Sequence, residues 1–381
     1  MPAATATPPV MMQGPAVTGA PGANGKAPLI PFRRATVERS NILPGESTLL
    51  SAAYTSIERT IEGTGFLYAI RLQITATTAG NAATVVFAED APWNALGLIT
   101  LRDPNGELIN LPNGFYLYLA NLAQKNYASR WLDQSTQSVI TPGVGAGLGG
   151  SFTQFLDVLV GTNRRDLTGI VGNQDRSVKY TLRTDVNPST LIYGTPPTTL
   201  PTLAINKWLE TYSVPLPVGP NGVQQQVLPD GYGTLHFTTV TTSDAAPLGG
   251  STVNHYLRRI GNTIRFIILV FRSNNLRATA ETNAPTMITF KVGDDTVFTE
   301  TWQNRKTKMY ERYGFDFPSG VLVYDALHDF SSDAGFELGD DYYHTQALVN
   351  AQFQITYPAG FASTANSLVF LTDDLVYNPP S

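Results

Sequence analysis

The sequence predicts an all-β protein: two consecutive eight-stranded sandwiches, each with one inserted helix, behind an extended N-terminal arm. Three observations predict this. The first is a hairpin that occurs twice. Leu98–Leu111 reads as two alternating strands around the turn Asp103-Pro104-Asn105-Gly106. A stretch 189 residues later, Ile288-Thr289-Phe290-Lys291, repeats Ile99-Thr100-Leu101-Arg102, with Val292–Asp295 in place of the turn. Each copy runs into a helix-like, aromatic-rich segment, and upstream Ile70–Ile74 matches Ile264–Ile268. Two ordered matches and a shared sequel point to a duplicated domain. The second observation is composition: 42% hydrophobic residues support sizeable cores, while 33 Gly and 26 Pro demand many turns. The third is spacing, since short β-type runs bounded by Gly, Pro, Asn or Asp recur without βαβ alternation. At 381 residues the chain exceeds what one core usually organises, which again favours two domains.

The elements follow in order. Residues 1–40 form the arm; its first 25 carry no charged side chain and show no periodicity, so order there requires a covering partner. Lys26, Arg33, Arg34 and Arg39 give its base a positive charge and are the candidate contacts for a membrane surface or a neighbouring subunit. The first sandwich is set at 41–220. Its strands are expected at Ser47–Glu62, Gly65–Thr78, Ala83–Ala88, the Leu98–Leu111 hairpin, Gln154–Val160, Asp175–Val186 and Leu203–Pro215. Phe115, Leu119, Leu122, Tyr127 and Trp131 recur at helical intervals, which predicts a helix over Asn113–Asp133 capped by Asn113. The Pro-, Gly- and Gln-rich stretch 216–233 reads as a connection, with the linker at 221–233. The second sandwich, 234–381, takes strands at Thr234–Thr241, Thr263–Ser273, Met287–Thr301, Val321–Leu327, Gln346–Tyr357 and Ser367–Tyr377. A shorter helix is expected at Asn304–Tyr313.

Little in the chain suggests catalysis. Gly145–Gly150 satisfies the letters of a dinucleotide loop but opens no helix after a strand, so it is read as a surface loop. His236, His255, His328 and His344 are too far apart in sequence to pair as metal ligands on one strand. Asp340–His344, Asp294-Asp295 and Asp373-Asp374 are read as acidic turns rather than metal sites. No catalytic, cofactor or metal residue is assigned. With no cysteine there is neither a disulfide nor thiolate chemistry, as suits a reducing compartment. No basic region followed by an apolar one marks a signal peptide, and the apolar run Phe266–Phe271 is far below the ~18 residues of a membrane span. A net charge of −5 excludes coating of nucleic acid by bulk charge. Arg305, Lys306, Lys308 and Arg312, interleaved with Tyr310 and Tyr313, read as an amphipathic helix whose charges face solvent or a neighbour.

Ala91-Pro92-Trp93-Asn94-Ala95-Leu96-Gly97-Leu98-Ile99, running into the first hairpin, resembles the way the first barrel of double jelly-roll major capsid proteins enters its central hairpin. The likeness to that lineage of tailless phages and adenoviruses spans residues 40–378. The resemblance implies two jelly rolls per chain and a homotrimer that tiles an icosahedral shell with neighbouring capsomers. It also implies penton and minor membrane-associated proteins as partners, an internal membrane around double-stranded DNA, and assembly into virions in the host cytoplasm. It transfers no catalytic residue, and the uncharged arm argues against direct sequence-specific nucleic-acid binding. Two alternatives share the fold class: a carbohydrate-binding or spike-like β-sandwich, and a β-sandwich glycosidase with a carboxylate pair in a cleft.

Overall fold

The computed structural model describes residues 32–377, apart from 64, 79–83, 104–105, 126–138, 142–148, 163–166, 174–178, 216–232, 274–275, 278–283, 326–342, 346–349 and 362–365. Lys26, Tyr127, Trp131, His328, most of the arm, of the linker and of the Gly-rich loop, and the acidic stretch before Tyr343 therefore lie outside the described residues, as do the side chains of Arg34 and His344.

The first half opens with a short helix, α1 (Phe32–Ala35), and contains β1 (Glu38–Leu49), β2 (Glu58–Ile61), β3 (Gly65–Ala76), β4 (Val86–Phe87), β5 (Leu96–Asp103) and β6 (Gly106–Leu111). After helix α2 (Gly114–Lys125) come β7 (Val139–Ile140), β8 (Phe152–Leu159), β9 (Val171–Asn173), β10 (Tyr180–Val186), the short helix α3 (Ser189–Ile192), β11 (Tyr193–Thr195) and β12 (Thr202–Tyr212). The long strands form two sheets, ordered β1-β12-β3-β8 and β2-β10-β5-β6. Between them lies a core that includes Ile70, Leu72 and Ile74 from one sheet and Ile99 and Leu101 from the other. Counted in chain order, strands one, eight, three and six make one sheet and two, seven, four and five the other. That is the jelly-roll order.

The second half repeats it. Its elements are β13 (Thr234–Thr242), β14 (Thr252–Tyr256), β15 (Thr263–Ser273), β16 (Leu276–Arg277), β17 (Met287–Val292), β18 (Asp295–Glu300), helix α4 (Trp302–Tyr313), β19 (Val321–Asp325), β20 (Tyr343–His344), β21 (Ala351–Thr356) and β22 (Ser367–Tyr377). Their orders are β13-β22-β15-β19 and β14-β21-β17-β18. The two hairpins agree in detail: each shifts register after its third pair, leaving Leu108 extra in one and Val297 extra in the other. Each is followed by a capped helix, Asn113 Oδ1 accepting from Phe115 N at 3.0 Å and Thr301 Oγ1 from Asn304 N at 3.2 Å. In α4, Gly314 closes the end with φ 72°, a left-handed conformation that glycine takes at no steric cost.

The match of Ile70–Ile74 to Ile264–Ile268 identifies equivalent strands but in the wrong register. The register shift in β3 falls at Tyr68 and that in β15 at Arg265, so Ile70 corresponds to Ile267. β9 and β20 pair with the residues just before these bulges in the same way, Leu67 with Val171 and Ile264 with Tyr343. The reason for the misreading is burial. From Thr263 to Phe271 every residue of β15 is buried, so the sequence lacks the alternation that would fix which face is which.

Other expectations are also corrected. Ser47–Glu62 is not one strand: β1 ends at Leu49 and β2 begins at Glu58. β1 starts inside the segment assigned to the arm, with Glu38 opposite Tyr212, and passes Pro44-Gly45 through a register shift between Leu43 and Glu46. An edge strand tolerates proline there. Ala83–Ala88 reduces to Val86–Phe87, α2 is described only to Lys125, and β14 was absent from the sequence reading.

Candidate assembly surfaces and the junction between the halves

The halves are joined edge to edge. β6 of the first pairs in parallel with β13 of the second, Ile109 beside Thr238 and Asn110 beside Thr239, so one sheet continues through both sandwiches. A buried polar cluster backs this seam. Asp373 on β22 is fully buried and accepts from Arg265 Nη1 at 2.7 Å, from Thr238 Oγ1 at 3.3 Å and from Gln124 of α2. His236 spans the seam, with Nε2 2.8 Å from Asp373 Oδ2 and Nδ1 2.9 Å from the Val160 carbonyl of the first half. Burial alone would raise the Asp373 carboxyl, but His236 and Arg265 beside it hold it down at about 2. The bulge at Arg265 is what aims that guanidinium at the carboxylate. Space is equally tight: a Cβ on Gly169 (φ +81°) would lie 2.7 Å from the His236 Cβ.

A second set of pairs crosses the seam. Asp90 accepts from Arg272 at 2.7 Å and from Arg277 at 2.8 Å, and Arg277 also donates to the Glu89 carbonyl at 2.8 Å. The Arg277 guanidinium stands 5.0 Å over the Phe115 ring of α2. Asp374, the neighbour of Asp373, takes a two-pronged contact from Arg259 at 2.8 and 2.7 Å. Asp373-Asp374 is thus no turn; both carboxylates sit mid-strand in buried ion pairs.

The remaining candidates are structural too. His255 is buried between Ser243 Oγ and Tyr357 Oη, each 2.8 Å from a ring nitrogen, and burial pulls it down to about 4. In α4, Arg305 donates to the Val323 carbonyl and lies 4.2 Å over the Tyr324 ring, Lys306 reaches the Phe317 carbonyl at 3.2 Å, and Arg312 is 3.0 Å from Asp325. These cations hold the helix to its own half rather than all facing outward; Lys308 is the most exposed of the four charges and pairs with Glu300 at 3.0 Å. Arg33 and Arg39 are exposed.

An open groove of about 420 Å³ lies along Gly45–Thr48 and Thr55–Arg59. Its Glu46 is bound by both Arg59 and the buried Lys207. Among the described residues no group of His, Asp or Glu is arranged to hold a metal, and no helix is long and apolar enough to cross a membrane.

Among the described residues, nothing pairs with the outer edge of β1 or of β18. β1 lies at the end of one sheet and β18 at the end of another, and both are largely exposed, with Ile42 and Val297 pointing outward.

No family model matches the sequence, and no curated protein matches it. Solved structures do. The major capsid protein of STIV, the Sulfolobus turreted icosahedral virus, aligns over 89% of this chain and 97% of its own, with 13% identity and a TM-score of 0.62. The PBCV-1 virus capsid aligns over 89% and 93% with 11% identity and a TM-score of 0.60. The major capsid protein of bacteriophage PM2 aligns over 90% and 98% with 11% identity and a TM-score of 0.51. The fold is the double jelly roll of viral major capsid proteins. Within that fold, the seam described above joins the first jelly roll's rear edge, formed by its fifth strand β6, to the second's front edge, formed by its first strand β13.

Proposed function

We propose that this chain is a major capsid protein, without a catalytic step, whose homotrimers tile an icosahedral viral shell. The observation that carries the reading is the repeated strand order: the same eight strands occur twice in one chain and are locked edge to edge. Three such chains offer six similar barrels, an outline that fills a hexagonal lattice position with one chain type. The glycan-binding and glycosidase readings have less support, because the solved structures that share this fold over about nine-tenths of the chain are those of viral capsid proteins.

Finer points belong to the same proposal. The first jelly roll runs from β1, at Glu38, to residue 220 and the second spans 234–381, with the linker at 221–233. The arm, with Lys26, Arg33 and Arg34, together with Arg39 at the start of β1, contacts a neighbouring capsomer or an internal membrane around a double-stranded DNA genome, with penton and minor proteins completing a virion assembled in the host cytoplasm. Light scattering of the purified chain tests the core claim. A trimer at micromolar concentration, and particles with hexagonal surface lattices in electron micrographs, are expected. A stable monomer without lattice contacts refutes it.

A further inference from the structure

Resting on the trimeric capsomer just proposed, we infer that β1 of one chain pairs in parallel with β18 of the next, repeating between chains the seam that β13 and β6 make within one. The two open edges are the counterparts of the two strands already joined. β6 and β18 are the same strand of the two jelly rolls, and their shared bulge aligns Leu108 with Val297, Ile109 with Phe298 and Asn110 with Thr299. β1 and β13 correspond likewise. The bulges at Tyr68 and Arg265 make Glu210 the counterpart of Asp373, and the pairings of those two residues make Ser40 the counterpart of Thr238 and Asn41 of Thr239.

Exposure differs as the inference requires. Leu108, on the strand that pairs with the second half, is 3% exposed, whereas its counterpart Val297 is 53% exposed. Thr238 and His236 are buried, whereas Ser40 and Glu38 at the equivalent places are exposed. Among the described residues neither β1 nor β18 has a second strand beside it. An edge that long invites another strand unless something covers it. The helices agree as well. α2, which lies against the seam, is buried at every residue from Gly114 to Ala123, while α4 in the equivalent position leaves Gln303, Asn304, Thr307, Lys308, Tyr310 and Glu311 exposed. Within the chain the first jelly roll offers its rear edge and the second its front edge. A ring that reuses one contact must therefore bring the rear edge of the second to the front edge of the first in the next chain. Transferring the internal register sets Ser40 beside Phe298 and Asn41 beside Thr299.

The chain has no cysteine, so thiols can be placed without background. Adjacent strands hold paired Cα atoms about 5 Å apart, within reach of a disulfide. Asn41→Cys and Thr299→Cys, both at exposed positions, are introduced singly and together. The internal pair Asn110→Cys with Thr239→Cys serves as a control for closure across the seam. After mild oxidation of the full-length protein, the double variant is expected to run mainly as a covalent trimer on a non-reducing gel. The single variants should show no such band. If the chain is trimeric by light scattering and the control closes, yet the double variant links no more than the singles, this pairing is wrong and the capsomer reading stands. If the unmodified chain is a monomer, the capsomer reading fails first and takes this inference with it.

Discussion

Replacing Asp373 by alanine should be among the most damaging single changes available in the second jelly roll. Arg265 is 1% exposed and donates to this carboxylate at 2.7 Å, and His236, Thr238 and Gln124 converge on its other oxygen. Removing one partner of a buried pair leaves the other charge in a medium that cannot solvate it, a loss of about 3–5 kcal/mol. Protonating the acid probes the same cluster more gently. Its pKa is held at about 2 against the usual 3.8, a difference that corresponds to about 2 kcal/mol of stability. Because the folded value is depressed, that stability is present above about pH 4 and is lost as pH falls toward 2. Urea unfolding of the full chain at pH 7 measures the first figure, and the acid limb of the unfolding midpoint measures the second. The alanine variant should lose about 3–5 kcal/mol at pH 7 and show a shallower decline below pH 4. A paired change, Arg265→Met with Asp373→Leu, should recover part of the loss, since no isolated guanidinium remains. A cost under about 1 kcal/mol for the single variant would sink the argument, because it would mean the cluster is solvated or Arg265 has an adequate alternative.

Two further outcomes follow from the same physics. His255, drawn down to about 4 by burial, should contribute about 3 kcal/mol that is present above pH 6.5 and lost as pH falls to 4, so His255→Phe should flatten unfolding midpoints across that interval. Gly114→Ala, in the first turn of a helix where alanine usually helps by up to about 1 kcal/mol, should instead destabilise. Its Cβ would sit 2.2 Å from the Trp93 carbonyl and 3.1 Å from the Leu96 Cβ. Thermal denaturation should show a fall of several degrees, with Gly106→Ala, whose Cβ meets nothing within 4 Å, nearly silent.

What the sequence could disclose was whatever is encoded locally. The hairpins were legible because a turn and four alternating residues on each side are specified by neighbours in the chain, and Thr263–Ser273 and Ser367–Tyr377 agree with the observed strands end for end. β14, Thr252–Tyr256, was missed because it is short and carries His255 at an inward position, where an alternating strand would show an apolar residue, and Tyr256 at an exposed one; His255 turns inward only because Ser243 and Tyr357 satisfy it. The junction was illegible for a different reason. Gln124, Val160, His236, Arg265 and Asp373 meet across as many as 249 residues of chain, and no spacing rule connects them. A usable signal did exist, since an Asp pair inside an apolar strand pattern requires buried cations, and the sequence offers Arg259 and Arg265 on the strand's partner segment.

The same comparison explains how two copies of one fold came to read so differently. On the first jelly roll, β3 turns Arg71, Gln73 and Thr75 away from its core, and β12 turns Asn206, Trp208 and Glu210 the same way. The equivalent positions in the second are Ile268, Val270 and Arg272 on β15, with Val369, Leu371 and Asp373 on β22. One outer face is polar and partly open, while the other is apolar and buried by the first half. Duplication alone gives no reason for that divergence; coverage does. A face buried within the chain is covered from the moment of folding and can be as apolar as a core. A face that waits for a second chain has to remain soluble until the partner arrives, and so keeps charged and polar groups around a few apolar contacts such as Ile42 and Val297. On the proposed trimer, the polarity difference between equivalent strands thus separates seams closed within one molecule from those closed between chains.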